Sequence, residues 1–156
     1  MRLSELLTDD RVAIHHAGSA QPLDKPASLR ILGQMLARGA RAGAADVERV
    51  LTEREQLQST GIGEGVAIPH GALPQLEAQF AALLIVPGGL EFAAIDGLPV
   101  TLLFAVITPK RATGEHLKTL ARVSRLLRNK GFRDRLIAAP APKEAYALIA
   151  SEEGER

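Results

Sequence analysis

His70 lies near the end of the stretch STGIGEGVAIPHG, residues 59–71, with Gly61, Gly63, Gly65 and Gly71 around it and Pro69 fixing the backbone just before it. An imidazole of ordinary pKa, about 6.5, offers a neutral, nucleophilic ring nitrogen at cellular pH, and that nitrogen can bond to phosphorus. A phosphorylated ring carries close to two negative charges, which call for backbone N–H groups, a hydroxyl and a guanidinium nearby. Ser59, Thr60 and Gly61 in the glycine stretch, and Arg54 just before it, are the nearest suppliers in sequence. Glycines let the backbone take unusual conformations and let another molecule approach closely, and exposed amides there hold anions. The spacing is not a P-loop, since no Gly-Lys-Ser/Thr follows. It is not G-x-G-x-x-G either, because residue 66 is Val66.

A second histidine, His116, follows Thr113-Gly114-Glu115. With Thr113 as N-cap, His116 becomes the third helical residue, on a stripe with Leu120, Val123 and Leu127 that faces inward. Free amides and the positive end of the helix dipole disfavour a protonated imidazole at such a place. A neutral second imidazole there can donate a hydrogen bond to a phosphohistidine; the same spacing also fits a histidine packed at the core edge. Arg54 shares the helical phase of Val47, Val50 and Leu57, which places its stem at the apolar border and its fork free at the helix end. A solvated surface arginine is the other reading. His15 and His16 stand together at the end of a predicted strand and are expected to be exposed.

Other chemistry fits the same residues. His70, His116 and a carboxylate such as Glu64 would make a metal-dependent hydrolase, but no tight cluster of the H-E-x-x-H kind is present and no metal or other cofactor is expected. A binding module that is never phosphorylated is the third possibility.

The elements that must position these residues alternate in period. LSELL forms a short amphipathic helix, and RVAIHH a candidate edge strand. PASLRILGQMLARGA, with proline in its first turn and Leu29, Leu32 and Leu36 on one face, predicts a helix that ends near Gly39. AADVERVLTEREQL predicts the helix that carries Arg54. Phe80–Val86 and Val100–Ile107 are almost continuously apolar and bounded by Pro87-Gly88, Pro99 and Pro109, the pattern of central strands covered on both faces. Asp96-Gly97 between them predicts a hairpin turn. The segments GEHLKTLARVSRLL, FRDRLIAA and KEAYALIAS complete the chain as helices. Strands buried between helices predict a single three-layer α/β domain over residues 1–156.

Composition narrows the partners. Nineteen basic and eighteen acidic residues leave a net charge of +1, so no overall field attracts nucleic acid or a membrane. The basic stripe of Lys118, Arg122 and Arg125 lies opposite the Leu120 face, as on an ordinary solvated helix; with 3% aromatic residues, nucleic-acid binding is not expected. The absence of cysteine excludes disulfides, thiolate metal sites and cysteine nucleophiles. No apolar run approaches a membrane span and the N-terminus is too polar for a signal peptide, so a cytoplasmic protein without membrane insertion is expected.

TEREQLQSTGIGEGVAIPHG, followed by FAAIDGLPVTLLFAVITP and EHLKTLARVSRLL, resembles the fructose/mannitol-type enzyme IIA family of the bacterial phosphotransferase system, in its stand-alone nitrogen-regulatory branch. The resemblance runs from about Leu3 to Ala150, and Ala67-Ile68-Pro69-His70 is its most specific part. It implies a mixed sheet flanked by helices. It also implies that His70 accepts a phosphoryl group from a histidine phosphocarrier through the ring nitrogen remote from the backbone, with His116, Arg54 and Thr60 in support. Formally such a protein is a transferase component with a phosphohistidine intermediate. The group, or the signal it carries, would pass to regulated targets such as potassium-transport or nitrogen and carbon control proteins, or alternatively to a separate IIB protein of a sugar-transport chain. Ala72 stands where the family commonly has a basic residue, which bears on partner affinity.

Overall fold

The structure is a computed structural model that describes residues 2–16, 23–40 and 42–154. Helix α1 (Leu3–Leu7) and a 3-10 turn (Asp9–Arg11) lead into strand β1 (Val12–Ile14). Two longer helices, α2 (Lys25–Ala40) and α3 (Ala44–Leu57), pack on each other. Three short strands follow, β2 (Gly61–Gly63), β3 (Val66–Ala67) and β4 (His70–Leu73), then the hairpin of β5 (Phe80–Leu90) and β6 (Val100–Pro109). Helices α4 (Thr113–Leu126), α5 (Lys130–Ile137) and α6 (Pro142–Gly154) close the chain.

The sheet is mixed, as expected, with the order β1-β5-β6-β3-β2 and β4 also paired to β6. β5 and β6 are antiparallel, while β1 lies parallel to β5, and β3 and β4 lie parallel to β6. Their continuous apolar sequence follows from burial on two faces. Leu103, Ala105 and Ile107 of β6 enter one core with Leu32, Leu36 and Leu51 of α2 and α3. The alternate residues Leu102, Phe104 and Val106 enter a second core with Val123, Phe132 and Ile149 of the C-terminal helices. Two cores on opposite faces of one sheet give the three layers. Each fully buried Leu or Phe contributes about 1.5–3 kcal/mol.

Three local expectations change. β5 does not end at Val86: it runs to Leu90 through an irregularity between Ile85 and Leu90, because Pro87 and Gly88 lie at an exposed bulge and pairing resumes at Leu90 with Val100. Thr113 is the first helical residue of α4 rather than its N-cap; Ala112 takes that place and the Thr113 hydroxyl donates to the Lys110 carbonyl at 3.5 Å. His15 is half-buried, since its N–H extends the β1 ladder to the Ile85 carbonyl at 2.8 Å; His16 is exposed. The Asp96-Gly97 turn is present, with Gly97 at φ +72° and its N–H donating to Ala94 at 2.9 Å.

Candidate functional site

The stretch around His70 is less pliable than its glycines predict. β3 and β4 run along the same edge of β6, with Val66 opposite Leu102 and His70 opposite Val106. The ladder is interrupted only at Ile68-Pro69, where proline has no N–H to give. The Ile68 N–H points away from β6 and extends the β2–β3 pairing to the Thr60 carbonyl at 3.0 Å, while Val106 N–H still reaches the Pro69 carbonyl at 3.0 Å. His70 therefore stands on a strand at the break and not on a free loop. Gly71 follows because α3 passes over it: a Cβ there would lie 2.9 Å from Val50 Cγ2. The β2–β3 turn is equally tight, with Glu64 at φ +57° between Gly63 and Gly65. Its Glu64 N–H is fixed by Asp96 Oδ2 at 2.8 Å.

The His70 ring is oriented by its own backbone. Nδ1 lies 2.8 Å from the Ile68 carbonyl. A carbonyl only accepts, so Nδ1 carries the hydrogen and Nε2 carries the lone pair. The His116 ring lies beside it, with centroids 5.3 Å apart and planes at 54°. The Nδ1 of His116 is buried without a hydrogen-bond partner. A hydrogen there would be an orphaned donor, which favours the tautomer with hydrogen on Nε2. Burial pushes the His70 pKa below the ordinary value; the Ile68 bond and Glu55 oppose this and Arg54 adds to it. Burial, and then the neighbouring His70, lower that of His116 to about 4. Both rings are neutral at pH 7.

Arg54 reaches the same cleft by a route that differs from the predicted phase. The inward stripe of α3 is Val47, Leu51 and Glu55; Val50 and Arg54 are half-buried beside it, and Leu57 is 83% exposed. The Arg54 Nη1 donates to the Gln58 carbonyl at 2.9 Å, which anchors the guanidinium at the helix C-terminus. Arg54, Ser59, Thr60, Gly61 and His70 share a cleft of about 300 Å³ with Ile62, Ile68, Ile95, Leu120 and Ser124.

Thr60, Ser59 and Gly61 form the wall of the cleft, and their polar groups are engaged within it. The Thr60 N–H donates to both oxygens of Glu55, at 3.1 and 3.0 Å, and its hydroxyl donates to Oε2 at 2.5 Å. The Ser59 hydroxyl accepts the Gly61 N–H at 3.1 Å and faces the Phe92 carbonyl at 3.4 Å. This leaves Arg54 as the cationic donor on the cleft. Glu55 is the residue that the sequence reasoning did not find. It is 7% exposed and paired with Lys25 Nζ at 2.7 Å. Its one sequence signal is the i, i+4 step from Val47 through Leu51, which puts a charge on a core stripe.

Glu64, the carboxylate of the hydrolase alternative, pairs with Arg133 at 3.1 Å. Among the described residues, no group of three or more His, Cys, Asp or Glu is placed to hold a metal ion, and no helix is long and apolar enough to cross a membrane. Two exposed apolar side chains, Ile62 and Ile95, line the cleft; Leu57 and Leu117, also exposed, follow Arg54 and His116 in sequence.

A model of the phosphoenolpyruvate-dependent sugar phosphotransferase system, EIIA 2, matches residues 5–152. The chain is 34% identical over 153 residues to a nitrogen regulatory protein of Pseudomonas aeruginosa, covering 96% of this chain and 95% of that one. It is 41% identical over 104 residues to a nitrogen regulatory protein of Bradyrhizobium diazoefficiens, covering 67% and 68%. The crystal structure of nitrogen regulatory protein IIA-Ntr from Neisseria meningitidis superposes with a TM-score of 0.84 at 32% identity, covering 94% of this chain and 98% of that one.

Proposed function

This chain belongs to the EIIA 2 family of the phosphoenolpyruvate-dependent sugar phosphotransferase system, and we propose that it is a regulatory protein that accepts a phosphoryl group on Nε2 of His70. The observation that carries the proposal is the bond from His70 Nδ1–H to the Ile68 carbonyl, which leaves the Nε2 lone pair unprotonated. The donor is a phosphohistidine on a carrier protein. The Nε2 lone pair forms the new N–P bond while the N–P bond of the donor breaks, and the donor ring leaves with that electron pair. Donor and acceptor are the same kind of bond, so the transfer is near balance and reversible. The negative charge in flight is met by the Arg54 guanidinium and by Nε2–H of His116.

The exposed Ile62 and Ile95 on the cleft suit a docking protein, because exposed apolar side chains beside a polar site mark interaction surfaces. Family membership supports partners in phosphoryl transfer, and the name shared by the relatives supports a role in nitrogen regulation. In that role the phosphorylated and unphosphorylated faces select different target proteins by charge, without refolding. Incubation with a phosphorylated histidine carrier is expected to add one acid-labile phosphate to the parent and none to His70→Ala. Label retained in His70→Ala would refute the assignment.

A further inference from the structure

A series of hydrogen bonds crosses from α2 to the His70 ring through a carboxylate that the transfer chemistry itself does not require. Lys25 holds Glu55. Glu55 takes both the N–H and the hydroxyl of Thr60. The Thr60 carbonyl takes the Ile68 N–H at 3.0 Å, and the Ile68 carbonyl takes His70 Nδ1–H at 2.8 Å. Glu55 and Thr60 are both buried. A buried carboxylate is costly unless it is paired and hydrogen-bonded, and this one has a cation and two donors. Its donors come from the one residue whose carbonyl sets Ile68.

Resting on the phosphoryl-acceptor reading above, we propose that Glu55 is a positioning residue for His70: held by Lys25, it fixes Thr60, and through Thr60 it fixes the Ile68 carbonyl that keeps the hydrogen on Nδ1 and the lone pair on Nε2. The coupling is mechanical. The N–H and C=O of Thr60 belong to different peptide planes hinged at its Cα, as do those of Ile68, so pinning one plane restricts the rotation of the next. Pro69 restricts the backbone on the far side of Ile68. Without Glu55, Thr60 loses three hydrogen bonds to α3.

The test is nitrogen NMR of the His70 ring in the full chain across pH, beside the phosphoryl-transfer rate from a phosphorylated carrier. The parent is expected to show hydrogen on Nδ1. Glu55→Ala is expected to give a mixture of tautomers and to slow transfer roughly tenfold or more, as small misplacements of reacting groups do. Glu55→Gln keeps an oxygen for Thr60 and should retain most of the tautomer preference. Because it removes a negative charge facing a ring that Arg54 and His116 also face, it should titrate His70 at lower pH than the parent. A residue that only stabilised the fold would move neither ring signal.

Parent-like tautomer, titration and rate in Glu55→Ala would overturn the proposal. If Glu55→Ala does not fold, a parent-like tautomer and rate in Glu55→Met, which fills the space but offers Thr60 no oxygen, would overturn it. A parent that takes no phosphate, while its tautomer still depends on Glu55, would refute the acceptor reading and leave the positioning role standing.

Discussion

His70 and His116 are two half-buried imidazoles that face each other, and both are held below the ordinary histidine pKa chiefly by burial. For the acceptor role proposed for His70 this favours mildly acidic pH: the ring stays neutral below the point at which a free imidazole, of pKa about 6.5, is half protonated. The pH profile of the transfer rate should therefore inflect below that value. For His116 the sign on stability follows from proton counting. Between about 6.5 and about 4 the unfolded chain binds the proton and the folded one does not, so stability falls as pH is lowered through that window. Urea midpoints measured across it should show the slope, and His116→Ala should flatten it. The same substitution should slow transfer roughly 100-fold, the order expected for a lost charge-stabilising donor, while leaving the fold intact. A parent-like rate would remove the supporting role.

At the scale of elements, the site depends on α3 lying tightly over β4. Gly71 permits the approach, and Val50 fills the space a side chain would take. Gly71→Ala should destabilise the protein by about 1–3 kcal/mol, the usual range for overpacking, and should slow transfer by moving Arg54 off the cleft. Adding Val50→Ala should recover part of both losses, as thermal midpoints and transfer rates of the two variants would show. The turn after α4 is secured differently. Arg133, which is buried, donates from Nη1 to the Leu127 and Arg128 carbonyls at 2.9 and 2.8 Å and ties Glu64 of the glycine turn to the same point. The helices were readable in the sequence because their apolar positions recur at helical spacing, and β5 and β6 because both faces are apolar. β2, β3 and β4 were not: they are two to four residues long, and β3 and β4 become strands only because β6 offers its free edge, with β2 pairing in turn to β3.

For the whole molecule, a net charge of +1 provides little long-range steering, so the proposed docking is expected to rest on local contacts such as the exposed Ile62 and Ile95 on the cleft. Ile95→Asp and Leu117→Asp should each weaken capture of the carrier and raise the carrier concentration needed for half-maximal transfer. Folding stability should stay within about 0.5 kcal/mol of the parent, because both side chains already face solvent. The sequence by itself determined the three layers and the two central strands, because periodicity encodes those features directly, whereas Arg54 and His116 were set beside His70 by the family resemblance and not by their spacing. Only the tertiary structure decided that His70 stands on a strand rather than a loop, that the amides of Thr60 and Gly61 are already occupied, and that Glu55 lies buried behind the site. The reason is physical: the strand pairing of His70 and the burial of Glu55 follow from contacts between separate elements, such as Val106 with Pro69 or Glu55 with Lys25, which exist only once the layers have closed, while the acceptors of the Thr60 and Gly61 amides are near in sequence but follow no periodic pattern.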